Sequence, residues 1–289
     1  MDERAALELV GGFVDAAGDD AAVVGETVLT IDMLHDATDF PDGTSPYTVG
    51  WRSVGASLSD VAAMGAEATA TVAVYGAPDF EPDALEGFLA GAVDVSSSVG
   101  AEYVGGDLDG HQEITVATTA IGTTDAPTWR SGASPGEVVC VTGALGRTAA
   151  AVRHFEAGNV EHANDRFQFP PRVAAGLTLG PDATAMMDSS DGLARSLHQL
   201  SEASEVGFAI EGDRLPIDPA LRNLAGDAAF DEAISFGEDF ELVCTLPERA
   251  VQDVRSRLGT DLTVIGTVTG SATDVRLDGE PLADEGWTH

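Results

Sequence analysis

The chain contains no lysine: its basic complement is 14 arginines, set against 49 aspartates and glutamates over 289 residues. That absence excludes the phosphate-binding P-loop and the protein-kinase pattern, both of which place a lysine on the phosphates. The net charge of −35 excludes a general nucleic-acid surface, because phosphate backbones need clustered cations. Cysteine is almost missing too. Cys140 and Cys244 stand in the apolar runs Val138–Val141 and Leu242–Cys244 without a Cys-x-x-Cys pair, and are expected to be buried free thiols. The six histidines show no i, i+4 pair, which leaves zinc without a ligand set. No uncharged apolar stretch is long enough to span a bilayer, and Met1-Asp2-Glu3-Arg4 opens without an apolar signal core. A cytoplasmic protein with no membrane or nucleic-acid partner is expected.

What is present is a globular α/β composition. A hydrophobic content of 44% argues against disorder despite the charge, and the length suggests about two domains. The acidic excess is spread along the whole chain, which fits a solvated shell adapted to a salt-rich interior better than a single cationic partner. Period-2 and period-3.6 patterns place strands at Glu26–Asp32, Thr69–Tyr75, Glu113–Gly122, Val138–Thr142, Ala183–Met187, Phe240–Leu246 and Leu262–Val268. Helices are expected over Tyr47–Gly65, from Pro82 through Val95, from Arg147 onward, after Pro170-Pro171, over Gly192–Ala203 and over Pro247–Leu258. Ser131–Gly136 reads as a linker, which gives domains 1–127 and 128–289.

Aspartate gathers beside glycine and serine: Gly18-Asp19-Asp20, Ser59-Asp60, Gly105-Gly106-Asp107, Asp188-Ser189-Ser190-Asp191-Gly192 and Gly237-Glu238-Asp239. Short carboxylates at such turns build oxygen-only sites for Mg²⁺, which in turn carries phosphate groups. Asp19-Asp20 taken alone reads first as a plain turn. Asp32 closes an expected strand, where a solvated carboxylate gains nothing from the core. Asp60 lies between Leu58 and Val61 in an apolar helix and needs a partner if buried. Asp188 and Asp191 flank a strand-to-helix turn; Ser190 or Asp191 is expected to cap the helix that follows, whose N-terminus also suits phosphate. An EF-hand is excluded by the spacing.

In order along the chain, Gly18–Val23, Thr30–Leu34, Leu58–Ala66, Gly105–Asp107, Arg130–Gly136, Asp188–Leu193 and Gly237–Leu242 resemble the thiamine-monophosphate kinases. These belong to the aminoimidazole-ribonucleotide-synthetase-like ATP enzymes. The resemblance implies a two-domain α/β (α+β) fold, N-terminal domains pairing into a homodimer, and ATP bound near the subunit interface. It implies Mg²⁺ ligands at Asp20, Thr30, Ile31 (through its backbone carbonyl), Asp32, Asp60, Asp107, Asp188 and Asp191. Contacts to ATP are implied for Gly106, Asp107, Arg130 and Ser190, with Asp32, Asp60, Asp191 and Arg130 closest to the chemistry. Glu238 and Trp287 would hold thiamine monophosphate. Where the family carries a His-Phe pair beside the substrate, this chain has Asp39-Phe40, so Asp39 takes that place and His35 is out of register.

The acceptor implied is a phosphate, already an oxyanion near neutral pH, so no general base is required. What must be overcome is repulsion between two anionic phosphates approaching in line, which Mg²⁺ and Arg130 would offset. A selenophosphate synthetase would need a reactive Cys or selenocysteine with a lysine, and a hydrogenase-maturation relative a C-terminal cysteine; the chain has neither arrangement. An aminoimidazole-ribonucleotide-synthetase-type ligase and a non-catalytic nucleotide-binding module stay open at this point, and a serine hydrolase stands well behind.

Overall fold

The computed structural model describes residues 9–14, 17–270 and 273–286. Five strands make the first sheet: β1 (Ala22–Val24), β2 (Thr27–His35), β3 (Glu67–Ala77), β4 (Glu102–Gly110) and β5 (Thr115–Thr123). Their order is β1-β2-β5-β3-β4, antiparallel throughout except for the β3–β4 pair. Alternation along β2 turns Val28, Thr30, Asp32 and Leu34 inward and leaves Leu29, Ile31 and Met33 exposed on the other face. The strand does not end at Asp32. It runs to His35, because β5 continues to pair with it and Leu34 still has a core to enter, so Asp32 sits mid-strand opposite Thr118.

Helix α1 (Pro46–Ala63) lies against the inward face of this sheet. Ser45 caps it by accepting the Thr48 N–H, Pro46 fits its first turn, and Gly65 at φ +63° ends it. Helix α2 (Pro82–Ser98) packs on α1 through two glycines. A Cβ on Gly50 would fall 2.0 Å from the Phe88 carbonyl oxygen, and one on Gly91 would fall 2.0 Å from that of Tyr47. Only glycine permits this approach.

The second sheet holds β6 (Val138–Thr142), β7 (Ala185–Asp188), β8 (Gly207–Ile210), β9 (Leu242–Leu246), β10 (Leu262–Thr269), β11 (Val275–Leu277) and β12 (Glu280–Pro281). Its order is β12-β11-β8-β10-β6-β9-β7. Around it lie α3 (Arg147–Glu156), α4 (Val160–Phe167), α5 (Val173–Leu179) and α6 (Leu193–Ser204), with three shorter helices toward the C-terminus. One buried cluster joins the halves: Val54, Leu58 and Val61 of α1 meet Val138 and Cys140 of β6, Leu242 and Cys244 of β9, and Leu179 of α5. Cys140 and Cys244 are free, fully buried and direct cross-strand partners. Helix α1 therefore serves two cores at once, which explains why its polar residues lie buried between the sheets.

Three local expectations change. Gly105-Gly106-Asp107 is no turn but part of β4, the edge strand of the first sheet, at a register irregularity where Gly105 adopts φ +144°. Neither Ser190 nor Asp191 caps α6; Gly192 occupies that position at φ +98° with no side-chain cap. The Ser131–Gly136 linker is tied down, with the Gly132 and Ala133 N–H groups donating to Ser204 Oγ at 3.1 and 3.2 Å. No helix among the described residues is long and apolar enough to cross a membrane.

Candidate active site

Four aspartates from four segments meet where α1 runs between the sheets. Asp60 projects from α1 toward β2 and accepts the Thr30 hydroxyl. Asp32 on β2 accepts the Ser57 hydroxyl at 2.7 Å. Asp20 arrives from the turn before β1, and Asp188 from the end of β7. Carboxylate oxygens of Asp20, Asp60 and Asp188 lie within 4.8 Å of one another. Arg130 clamps Asp20 with two bonds, Nε to Oδ2 at 3.1 Å and Nη2 to Oδ1 at 2.9 Å, while its backbone N–H donates to Asp19 at 3.0 Å. The Asp19-Asp20 pair is thus anchored across 110 residues rather than closing a plain turn.

Four carboxylates crowd against one guanidinium, so the cluster resists full ionisation. Burial pushes Asp60 well above its ordinary range, and the charges of Asp32, Asp188 and Asp20 add to the rise. Asp188 is pushed up to about 8, first by burial and then by Asp20. Burial likewise raises Asp32, though Ser57 and Asp60 oppose it through hydrogen bonds. Asp188 Oδ2 is buried without a hydrogen-bond partner among the described residues. A hard divalent cation suits such a site: every donor is an oxygen, charge is in excess, and one carboxylate oxygen is unsatisfied.

The sign of the pH effect follows. Below pH 3.8 Asp188 is protonated whether the chain is folded or not. Between 3.8 and about 8 the folded state keeps a proton that the unfolded state has shed, so stabilisation present at acid pH is lost as pH rises through this window. The metal-free protein is expected to melt higher at pH 5.5 than at pH 8 in constant potassium chloride. Mg²⁺ should bind with proton release, and Asp188→Asn should flatten the slope. A metal-free melting temperature that rose over the same interval would contradict the buried cluster.

The Ile31 side chain is 74% exposed on the face of β2 opposite Thr30 and Asp32, which leaves the ligand expected through its backbone carbonyl untouched. Asp107 and Gly106 are on β4, separated from β2 by β5 and β3. Three strand spacings put them about 14 Å away across the sheet, so within one chain Asp107 does not join the cluster. They line a cavity of about 400 Å³ between α2 and β4, walled by Tyr75, Leu85, Phe88, Leu89 and Tyr103. Asp191 and Ser190 sit half-buried in the turn after β7, outside the group of three. Asp39 is buried and accepts the His35 N–H at 2.6 Å and the Thr38 hydroxyl at 2.9 Å. Trp287 lies outside the described residues; Gly286 packs beside the Asp191 carbonyl and Arg195.

Glu238 is buried at φ +65° and paired with Arg52, 2.8 Å from Nη2 to Oε2. Sequence reasoning missed Arg52, although a lone arginine at Trp51-Arg52-Ser53-Val54 in a helix of small and apolar residues was the signal. It also missed the work of Asp239 and Glu241. Asp239 accepts the Gly146 and Thr148 N–H groups at the start of α3, and burial pushes it up to about 7. Glu241 takes both arms of Arg172 and the Thr142 hydroxyl. Ser134, in the Gly132–Gly136 stretch that spells Gly-x-Ser-x-Gly, lies in a loop before β6 and not on a strand-to-helix elbow, which removes the hydrolase reading.

Residues 18–124 match the family described as AIR synthase related protein, N-terminal domain, and residues 134–278 match AIR synthase related protein, C-terminal domain. The thiamine-monophosphate kinase of Halobacterium salinarum is 64% identical over 289 residues, covering 100% of both chains. The solved thiamine-monophosphate kinase of Stenotrophomonas maltophilia K279a is 31% identical at a TM-score of 0.83, covering 91% of this chain and 90% of that one. AaThiL, solved in complex with AMPPCP and TMP, is 26% identical at a TM-score of 0.89 over 99% and 96% of the two chains. Since these likenesses run through both sheets and every segment that supplies the cluster, the chain belongs to the thiamine-monophosphate kinase family of AIR synthase related proteins.

Proposed function

We propose that this chain transfers the γ-phosphate of ATP directly to the phosphate of thiamine monophosphate, giving thiamine diphosphate and ADP, with several Mg²⁺ ions and as a cytoplasmic homodimer. The observation that carries the reading is the convergence of Asp20, Asp60 and Asp188 within 4.8 Å, beside Arg130. Asp20, Asp32, Asp60 and Asp188 would hold the metal, with Thr30 and Ser57 orienting Asp60 and Asp32. When bound, Mg²⁺ supplies charge neutralisation for the transferring phosphoryl group. A phosphate oxygen of the acceptor forms the new P–O bond as the bond to the β-phosphate bridge breaks. Arg130 is close enough to the cluster to exchange an Asp20 contact for a phosphate oxygen.

The cavity beside Gly106 and Asp107 supports a seat for the nucleoside, being walled by apolar side chains of α2 and β3. The opposite face of the first sheet supports the homodimer. Leu29, Ile31, Met33, Val74 and Ile121 lie exposed together on the side of the first sheet that no element among the described residues covers. A nucleotide seated on β4 would then lie at the subunit boundary, where Asp107 and Asp191 can reach the phosphates. For the acceptor, the carboxylates of Glu238, Asp239 and Asp39 act on the single charge of Arg52. An acid-rich surrounding of that kind suits a cationic thiazolium better than a ribonucleotide.

ATP-dependent formation of thiamine diphosphate from thiamine monophosphate in concentrated potassium chloride is the direct test. Preference for an aminoimidazole-type ribonucleotide would move the assignment to the ligase. Trp287→Ala is expected to raise KM for thiamine monophosphate more than KM for ATP, since an aromatic face contributes about 0.5–2 kcal/mol to a flat cation. Equal effects on both would make Trp287 an anchor of the chain terminus.

A further inference from the structure

Arg52 is 1% exposed and stands eight residues before Asp60 on α1. Its Nη2 donates to Glu238 Oε2 at 2.8 Å, and its Nη1 donates to the Phe167 carbonyl at 2.7 Å. The guanidinium lies 3.6 Å over the Phe167 ring, with Phe169 and Phe240 farther off. We propose that Arg52 is the positioning residue of the acceptor site, fixing the Glu238 carboxylate in the orientation that meets thiamine monophosphate. The proposal rests on the kinase reading above and deepens it.

The segment around Glu238 is already secured without this pair. Asp239 holds the start of α3, and Glu241 is gripped by Arg172 and Thr142. Packing alone does not call for a third carboxylate bonded to a buried arginine, because removing an arginine from water costs about what the pairing returns. Glu238 and Phe240 are also held at φ +65° and +52°, a conformation that residues other than glycine adopt only when their surroundings enforce it. The enforcement is visible. The Glu238 N–H donates to the Ser190 carbonyl, and the Phe240 N–H donates to that of Ser189 at 3.1 Å. A rigid line thus runs from α1 through Arg52 and Glu238 into the Asp188–Asp191 turn. Helix α1 delivers Asp60 to the phosphate and Arg52 to the acceptor, so one element sets the spacing between them. A carboxylate has lone pairs for both the guanidinium and a ligand donor.

The test is steady-state kinetics of Arg52→Met, Arg52→Lys, Glu238→Gln and Arg52→Lys with Glu238→Gln, each beside wild type in concentrated potassium chloride. Arg52→Met is expected to raise KM for thiamine monophosphate at least 30-fold, while KM for ATP and the Mg²⁺ requirement stay within threefold. Arg52→Lys should recover part of that loss, since it restores charge but not the planar contact with Phe167. The double variant should be no worse than Glu238→Gln alone, because both changes break one pair. Unchanged KM for thiamine monophosphate in Arg52→Met, or equal rises for both substrates, would overturn the proposal. Should Arg52→Met fail to fold, the lysine pair decides: effects of Arg52→Lys and Glu238→Gln that multiply overturn it. Wild-type protein inactive toward thiamine monophosphate would instead remove the kinase reading, and this inference with it.

Discussion

Replacing Asp60 by asparagine is expected to lower turnover at least about 1,000-fold, roughly 4 kcal/mol of barrier, while the metal-free protein stays folded and loses no stability. The two effects have one cause. Asp60 is a half-exposed member of a like-charged group, its carboxyl raised well above its ordinary range by desolvation and by three neighbouring aspartates. An amide of the same shape keeps an oxygen for the Thr30 hydroxyl but carries no charge. The metal-free cluster, where Asp60 keeps its proton, is little disturbed, whereas the capacity to hold a divalent ion against the phosphates falls. Turnover at saturating Mg²⁺, melting by circular dichroism with chelator, and the count of bound Mg²⁺ separate these effects. Near-normal turnover at limiting Mg²⁺ would take Asp60 out of the metal site.

Lowering potassium chloride well below molar is expected to unfold the protein in part, with recovery on adding salt back. The charge of −35 is dispersed, and only 14 arginines oppose it. Many of those are already engaged inside the fold, as Arg52 is with Glu238 and Arg172 with Glu241. The remaining surface repels itself across distances that salt shortens from about 10 Å at 0.1 M to about 3 Å at 1 M. Rescue should follow ionic strength and not a cationic protein partner. A circular-dichroism signal that stays flat down to low salt would refute the adaptation.

Much of the local structure is legible in the residue order. The runs at Val138–Thr142 and Leu262–Val268, and the Pro82 helix with its apolar stripe, are periodic enough to declare their type, because side-chain spacing and local dihedral preferences act over a few residues. The oxygen-only chemistry was legible too, since a chain with 49 acidic residues and no lysine has few other ways to handle polyphosphate. Which carboxylates come together within one chain was not. Asp107 resembles Asp60 in its glycine- and serine-rich setting, yet within one chain β5 and β3 stand between it and β2. Glu238 reads as a ligand with nothing to orient it, yet one of its oxygens meets Arg52, 186 residues away in the chain. Asp239 and Glu241 look like further site acids and instead hold α3 and Arg172. By itself the sequence determined element types, the acidic surface and the oxygen-rich donor set, all set by short-range sterics and composition. Only the tertiary structure decided which distant groups share a site, because that depends on strand order, on helix α1 serving two cores, and on the loss of water around charges that look alike until they are buried.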